Sequence, residues 1–127
     1  MLFRSRGNGR HFQAGADLKW LTSVSRSSPD DNLRASRSTA EAVRRLNLVP
    51  VPTIALVHGG CFGGGTGLVA ACDVAVAADS ALFSIAEVRW GLTAAIIVPQ
   101  LNDAIGDRKS TRLNSSHSQQ SRMPSSA

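Results

Sequence analysis

From His58 to Gly67 the run HGGCFGGGTG holds six glycines in ten positions, and the chain then enters an apolar segment broken by one acid, Asp73. A strand that opens into glycines and then into a helix exposes backbone N–H groups where partial positive charge collects. Something anionic belongs at such a place. The same glycines could instead serve close packing of a helix on a strand. Three other chemistries are excluded by spacing. No GxxxxGK[ST] phosphate loop and no GxSxG nucleophile turn occurs, and a dinucleotide fingerprint fails because Leu68 stands where Gly63 and Gly65 require a third glycine.

The polar side chains around this run are few. His58 follows an apolar stretch and reads as a packing histidine or a ligand contact. Asp73 opens an apolar strand, where it would satisfy nearby backbone donors. Asp17 precedes LKWLTSV and suits a helix N-cap. On residue type alone, Glu87 is an ordinary surface carboxylate. Cys61 and Cys72 have neither a CxxC spacing nor a paired histidine, so they read as reduced core thiols and no metal site is expected.

These residues need elements to hold them. MLFRSR is expected to end a strand, GNGRHFQAGAD to form a loop, LKWLTSV to be a short helix and SRSSPDDN a polar linker. From Asn32 as N-cap, Leu33, Ala40, Val43 and Leu46 recur at helical spacing up to the Pro50 and Pro52 pair. TIALV and DVAVA read as buried strands with a helical GLVAA between them, and AAIIVPQLNDAI as a helix interrupted near Pro99. Strands alternating with helices predict an α/β architecture.

A chain of 127 residues, 43% of them apolar, is the size of one domain. Its net charge of +5 divides unevenly: residues 1–108 hold eleven Lys/Arg against nine Asp/Glu, whereas 109–127 add Lys109, Arg112 and Arg122 with no acid. The nearly neutral body implies no nucleic-acid partner, and Arg34, Arg37, Arg44 and Arg45 read as a solvated helix face. No apolar run approaches the ~20 residues a membrane span needs, and no secretory leader is evident, so a cytoplasmic location is expected. Residues 109–127 carry seven serines in nineteen positions. That composition predicts a disordered tail, and it is similar to translated sequencing-adaptor read-through.

Taken together, GNGRHFQAGADL at 7–18 and VPTIALVHGGCFGGGTGLVAACDVAVAADSALFSIAEV at 51–88 resemble the crotonase, or enoyl-CoA hydratase/isomerase, superfamily. The likeness rests on the AGADL loop, the strand with its glycine turn and ACD, and the glutamate that follows. The next residues, EVRWGL, most resemble the branch that hydrates branched or carboxylated enoyl-CoA thioesters. The resemblance covers residues 2 to about 108, the middle of a family member. It implies a crotonase-like ββα spiral core truncated at both ends, which would leave the isolated chain aggregated or molten. It also implies a homotrimer or dimer of trimers for the full-length form.

Carried over, the family's oxyanion hole falls on the backbone N–H groups of Ala16 and Gly64. Ala14, Gly15, Ala16, Asp17 and Leu18 would line the coenzyme A portion of an acyl-CoA substrate, with no separate cofactor. Of the two glutamates that a typical hydratase uses, the second matches Glu87, whereas the first falls on Gly67, which has no side chain. The expected activity is therefore enoyl-CoA hydration with one glutamate. The alternatives are double-bond isomerisation by Glu87 alone, or a coenzyme A thioester-binding protein without turnover.

Overall fold

A computed structural model describes residues 1–85, Glu87 and residues 92–106. The chain runs β1 (Phe3–Arg6), α1 (Leu18–Ser25), α2 (Pro29–Asn47), β2 (Thr53–Val57), β3 (Gly60–Phe62), α3 (Gly64–Ala70), β4 (Val74–Ala77), β5 (Leu82–Ser84) and α4 (Val98–Ile105). β2 lies between β1 and β4 in a parallel sheet, with Ala55 opposite Ser5 on one side and Ala75 on the other. β3 and β5 form a second parallel pair, Cys61 opposite Phe83, and Gln13 extends it by one parallel bridge to Cys61.

The order of elements thus repeats. Each turn gives one strand to the first sheet, one strand or bridge to the second, and then helix: β1, Gln13 and α1–α2; β2, β3 and α3; β4, β5 and α4. Parallel neighbours need such crossovers, because a tight hairpin can only reverse the chain. The expected α/β ββα spiral is present. β3 and β5 were not foreseen; at three residues each they carry too little alternation to read as strands.

Local chemistry explains the helix boundaries. α2 starts before the expected Asn32: Ser28 is its N-cap, accepting from Asp31 N–H and donating to Asp31 Oδ2. Pro29 needs no N–H partner in the first turn, so residues 29–32 of the expected linker are the start of the helix and only 26–28 connect it to α1. Asp30 and Asp31 at one end and Arg44 and Arg45 at the other complement the helix dipole. Arg44 and Arg45 pair with Glu41, and Arg34 with Asp31, all on the solvated face expected for them. Glu41, held by the Arg44 and Arg45 hydrogen bonds, has its pKa lowered to about 2. Likewise α4 is not interrupted by Pro99 but begins there, with Pro99 in its first turn.

Thr53, Ala55 and Val57 point from β2 into the core, joined by Phe12, Cys61, Val69 and Phe83. A second cluster packs α4 on α3 through Val43, Ala71, Ile85, Ala94, Ile97 and Leu101. β4 departs from expectation: its four residues are exposed, because it is the outer strand of its sheet. Asp73 does satisfy a backbone donor. Its Oδ2 accepts from both the N–H and the Oγ1 of Thr53, each at 2.8 Å, and Asp73 N–H donates to Thr53 Oγ1 at 2.9 Å. The Thr53 N–H and hydroxyl hold the Asp73 carboxyl below its ordinary range. Both cysteines are free, and burial pushes the Cys61 thiol up to about 11. No helix among the described residues is long and apolar enough to cross a membrane.

Candidate active site

The loop between β1 and α1 is fastened along its length to the β2–β3 turn. Phe12 N–H donates to His58 O at 2.9 Å, Gln13 N–H to Gly60 O at 3.2 Å, and Phe62 N–H to Gln13 O at 2.9 Å. Two histidines add to this. His58 Nε2 meets Gly9 O at 2.8 Å, and a carbonyl can only accept, so that nitrogen carries the proton. His11 Nδ1 accepts from Gly60 N–H at 2.8 Å, which places its proton on Nε2. Both residues are occupied in bracing the loop, and His58 takes the packing role.

At the end of the loop the chain turns through Gly15, whose φ of +105° an L side chain rarely adopts. The turn delivers Asp17 as the N-cap of α1, its Oδ1 accepting from Lys19 N–H at 2.7 Å and Trp20 N–H at 3.2 Å. Ala14, Ala16, Asp17 and Leu18 are exposed and Gly15 is half-buried, so this segment offers backbone and small side chains to the surface. No acceptor among the described residues takes the Ala16 N–H.

The second element is the start of α3. Gly63 caps it with φ +55° and ψ −127°, and its N–H is tied to Ser84 O at 2.8 Å. No side chain caps the helix, and the Gly64 N–H likewise has no acceptor among the described residues. A β-carbon built on Gly64 would meet nothing within 4 Å, so this position faces open space.

Glu87 closes over this start. Its Oε1 lies 2.8 Å from where a β-carbon on Gly63 would stand, so the carboxyl rests on the backbone immediately before Gly64. Its Oε2 is buried without a hydrogen-bond partner among the described residues. Burial pushes the Glu87 carboxyl above its ordinary range, against the weaker pull of its own backbone N–H. A half-buried carboxyl of this kind can exchange a proton with a ligand. That assignment was out of reach from residue type alone, since only the fold carries Glu87 onto α3.

Further along α3, Gly67 faces an apolar wall. A β-carbon there would stand 2.2 Å from Ile97 Cγ2, so Ile97 fills the space a side chain at 67 would need. Sequence reasoning missed Ile97 and Gln13, because neither apolar packing nor one amide next to a glycine turn marks chemistry by itself. An open groove of about 590 Å³ lies at the carboxyl ends of β1, β2 and β4, lined among others by Arg6, Asn8 and His58. It contains neither Glu87 nor Gly64. Residues 88–91 of the EVRWGL run and the serine-rich tail lie outside the described residues.

Comparison with known proteins agrees with this arrangement. The profile of the Enoyl-CoA hydratase/isomerase family matches residues 6–119. The hydroxycinnamoyl-CoA hydratase-lyase of Pseudomonas fluorescens is 35% identical over 82% of this chain and 39% of its own length. The human mitochondrial Delta(3,5)-Delta(2,4)-dienoyl-CoA isomerase is 38% identical over 80% of this chain and 34% of its own. The crystal structure of an enoyl-CoA hydratase from Shewanella pealeana superposes with a TM-score of 0.85 at 36% identity, over 89% of this chain and 43% of that one. The chain therefore spans roughly two fifths of the proteins it matches. A spiral of ββα turns, a glycine-opened helix under a half-buried glutamate and a family match over most of its length lead to one assignment: the chain belongs to the enoyl-CoA hydratase/isomerase family, within the crotonase superfamily.

Proposed function

We propose that the protein carrying this chain acts on an acyl-CoA thioester, with Glu87 moving a proton at C2 while the Ala16 and Gly64 N–H groups bind the thioester oxygen. Coenzyme A is then part of the substrate, its adenylate end lying along Ala14 to Leu18, and no further cofactor takes part. One observation carries the reading: among the described residues the buried Glu87 Oε2 has no hydrogen-bond partner, and this carboxyl rests on Gly63, immediately before the Gly64 N–H. Removal of a C2 proton sends the C–H electron pair toward the thioester oxygen, where two aimed donors stabilise the enolate. A carboxyl raised by burial serves that transfer better than a fully solvated one.

Two net reactions pass through this enolate. In hydration, the sequence-based expectation, water gives a proton to the Glu87 carboxylate as its hydroxide adds at C3 and the double-bond pair moves to the thioester oxygen. Glu87 then passes that proton to C2 of the enolate. In isomerisation, Glu87 takes a proton from C2 of a 3-enoyl thioester and returns it at C4, so the double bond moves from C3 to C2. Isomerisation needs one acid/base group, and Ile97 against Gly67 favours it, because that wall leaves no room for a second acid at position 67. The reading extends to a homotrimer or dimer of trimers for the whole protein.

The test is solvent exchange. The longest natural polypeptide that contains these residues is incubated in D2O with short 2-enoyl and 3-enoyl thioesters of coenzyme A. Mass spectrometry is expected to find either a hydrated product with deuterium at C2 or a double-bond-shifted product with deuterium at C4. Binding without exchange, hydration or bond shift would instead identify a thioester-binding protein.

A further inference from the structure

Gln13 touches both sides of the proposed thioester cleft. Its side-chain Oε1 accepts from Gly15 N–H at 2.5 Å, and its Nε2 donates to Gly15 O at 3.2 Å. The two ends of the amide cannot be exchanged, since that would set donor against donor and acceptor against acceptor. The same side chain lies against α3. A β-carbon on Gly65 would stand 2.7 Å from Gln13 Cβ and 2.9 Å from Oε1, so the helix approaches this close only because residue 65 is glycine. The backbone of Gln13 is itself fixed to β3 through Gly60 O and Phe62 N–H.

We infer that Gln13 is a positioning residue that aims the Ala16 N–H and sets its spacing from α3, an inference that rests on the function proposed above. Gly15 C=O and Ala16 N–H belong to one planar trans peptide unit, no peptide bond among the described residues being cis. Holding the carbonyl with Gln13 Nε2 therefore turns the Ala16 N–H the opposite way. The Gly15 N–H is taken up by Gln13 Oε1, so the next donor along the loop is the one left to a ligand. A peptide following a glycine at φ +105° has other orientations open to it, and the two-point clamp selects one. The packing on Gly65 ties that orientation to the helix that presents Gly64.

Gln13→Met and Gln13→Glu separate the parts of this clamp. Met removes both hydrogen bonds at similar volume. Glu keeps an acceptor for Gly15 N–H but, when ionised, sets a second oxygen against Gly15 O. Both variants are expected to lose about tenfold or more in kcat with KM nearly unchanged, because a misaimed donor weakens binding of the enolate more than of the ground state. The Glu variant should recover relative to the parent at the same pH as acid protonates its carboxyl and restores a donor to Gly15 O. Met should show no such recovery. Amide exchange at Gly15, read by NMR without substrate, should speed up in the Met variant. Parental kcat in both variants, with faster Gly15 exchange in Met, would overturn the inference and leave Gln13 as a turn brace. A parent protein that binds the thioesters but gives no hydration, bond shift or exchange would overturn the functional reading itself, and this role with it.

Discussion

Glu87 and Gly63 occupy one another's space: Glu87 Oε1 stands 2.8 Å from the point where a β-carbon on Gly63 would be. Gly63 also has φ +55°, so two independent reasons require glycine there. Gly64, one residue on, has an open β-carbon position. Gly63→Ala should therefore lower stability by about 1–2 kcal/mol through backbone strain alone and displace Glu87 as well. Gly64→Val should keep a melting temperature near that of the parent yet lose turnover, because its side chain enters the space proposed for the thioester oxygen. Thermal melts alongside steady-state kinetics check both, and a Gly64→Val protein with parental kcat would contradict the placement of the cleft.

Glu87 should also weigh on stability. Its carboxyl is raised by burial, so the folded state holds this proton more tightly than the unfolded chain does. The contribution is fully present below the ordinary carboxyl pKa and is lost as pH rises through the raised value. At neutral pH the folded protein thus carries an unfavourable half-buried charge. Glu87→Gln should melt a few degrees higher than the parent at pH 7, with the difference shrinking in acid. Melts across pH check this, and a lower melting point for Glu87→Gln at pH 7 would show that the charge is compensated.

What could be read from the sequence was what local pattern encodes. β2 alternates between core and half-buried faces, α1 has its Asp17 cap, and the glycine run does open α3, so each followed from residue types a few positions apart. The start of α2 was misplaced because Asn32 is a good cap considered alone, while Ser28 with Pro29 and Asp31 is better. β4 was expected to be buried from its apolar residues, but burial depends on which strand lies at the sheet edge. The clamp of Gln13 on Gly15 and the wall that Ile97 sets against Gly67 are tertiary contacts with no local signature. The role proposed for Glu87 comes from family resemblance, and its position over Gly63 is a tertiary contact with no local signature.

Ile97 and Gly67 form a matched pair. A methyl added at Gly67 would meet Ile97 Cγ2 at 2.2 Å, in a cluster that joins α3 to α4. Gly67→Ala should destabilise by about 1–3 kcal/mol through overpacking. Ile97→Ala should cost about 2–5 kcal/mol through the cavity it leaves. In the double variant the new methyl enters part of that cavity, so the combined loss should fall below the sum of the two. Denaturant titrations of all four proteins measure the coupling, and strict additivity would mean that the two residues do not share this space.

The central claim is that Glu87 moves the proton at C2, and the most direct measurement is the rate of C2 deuterium exchange from D2O into a bound enoyl thioester, for the longest natural polypeptide and its Glu87→Gln variant. Gln keeps the shape and the burial but cannot carry the proton. A fall of roughly 100-fold or more in exchange and in kcat, with thioester affinity largely kept, is the predicted result. Exchange and turnover near the parental rate in Glu87→Gln would contradict the account.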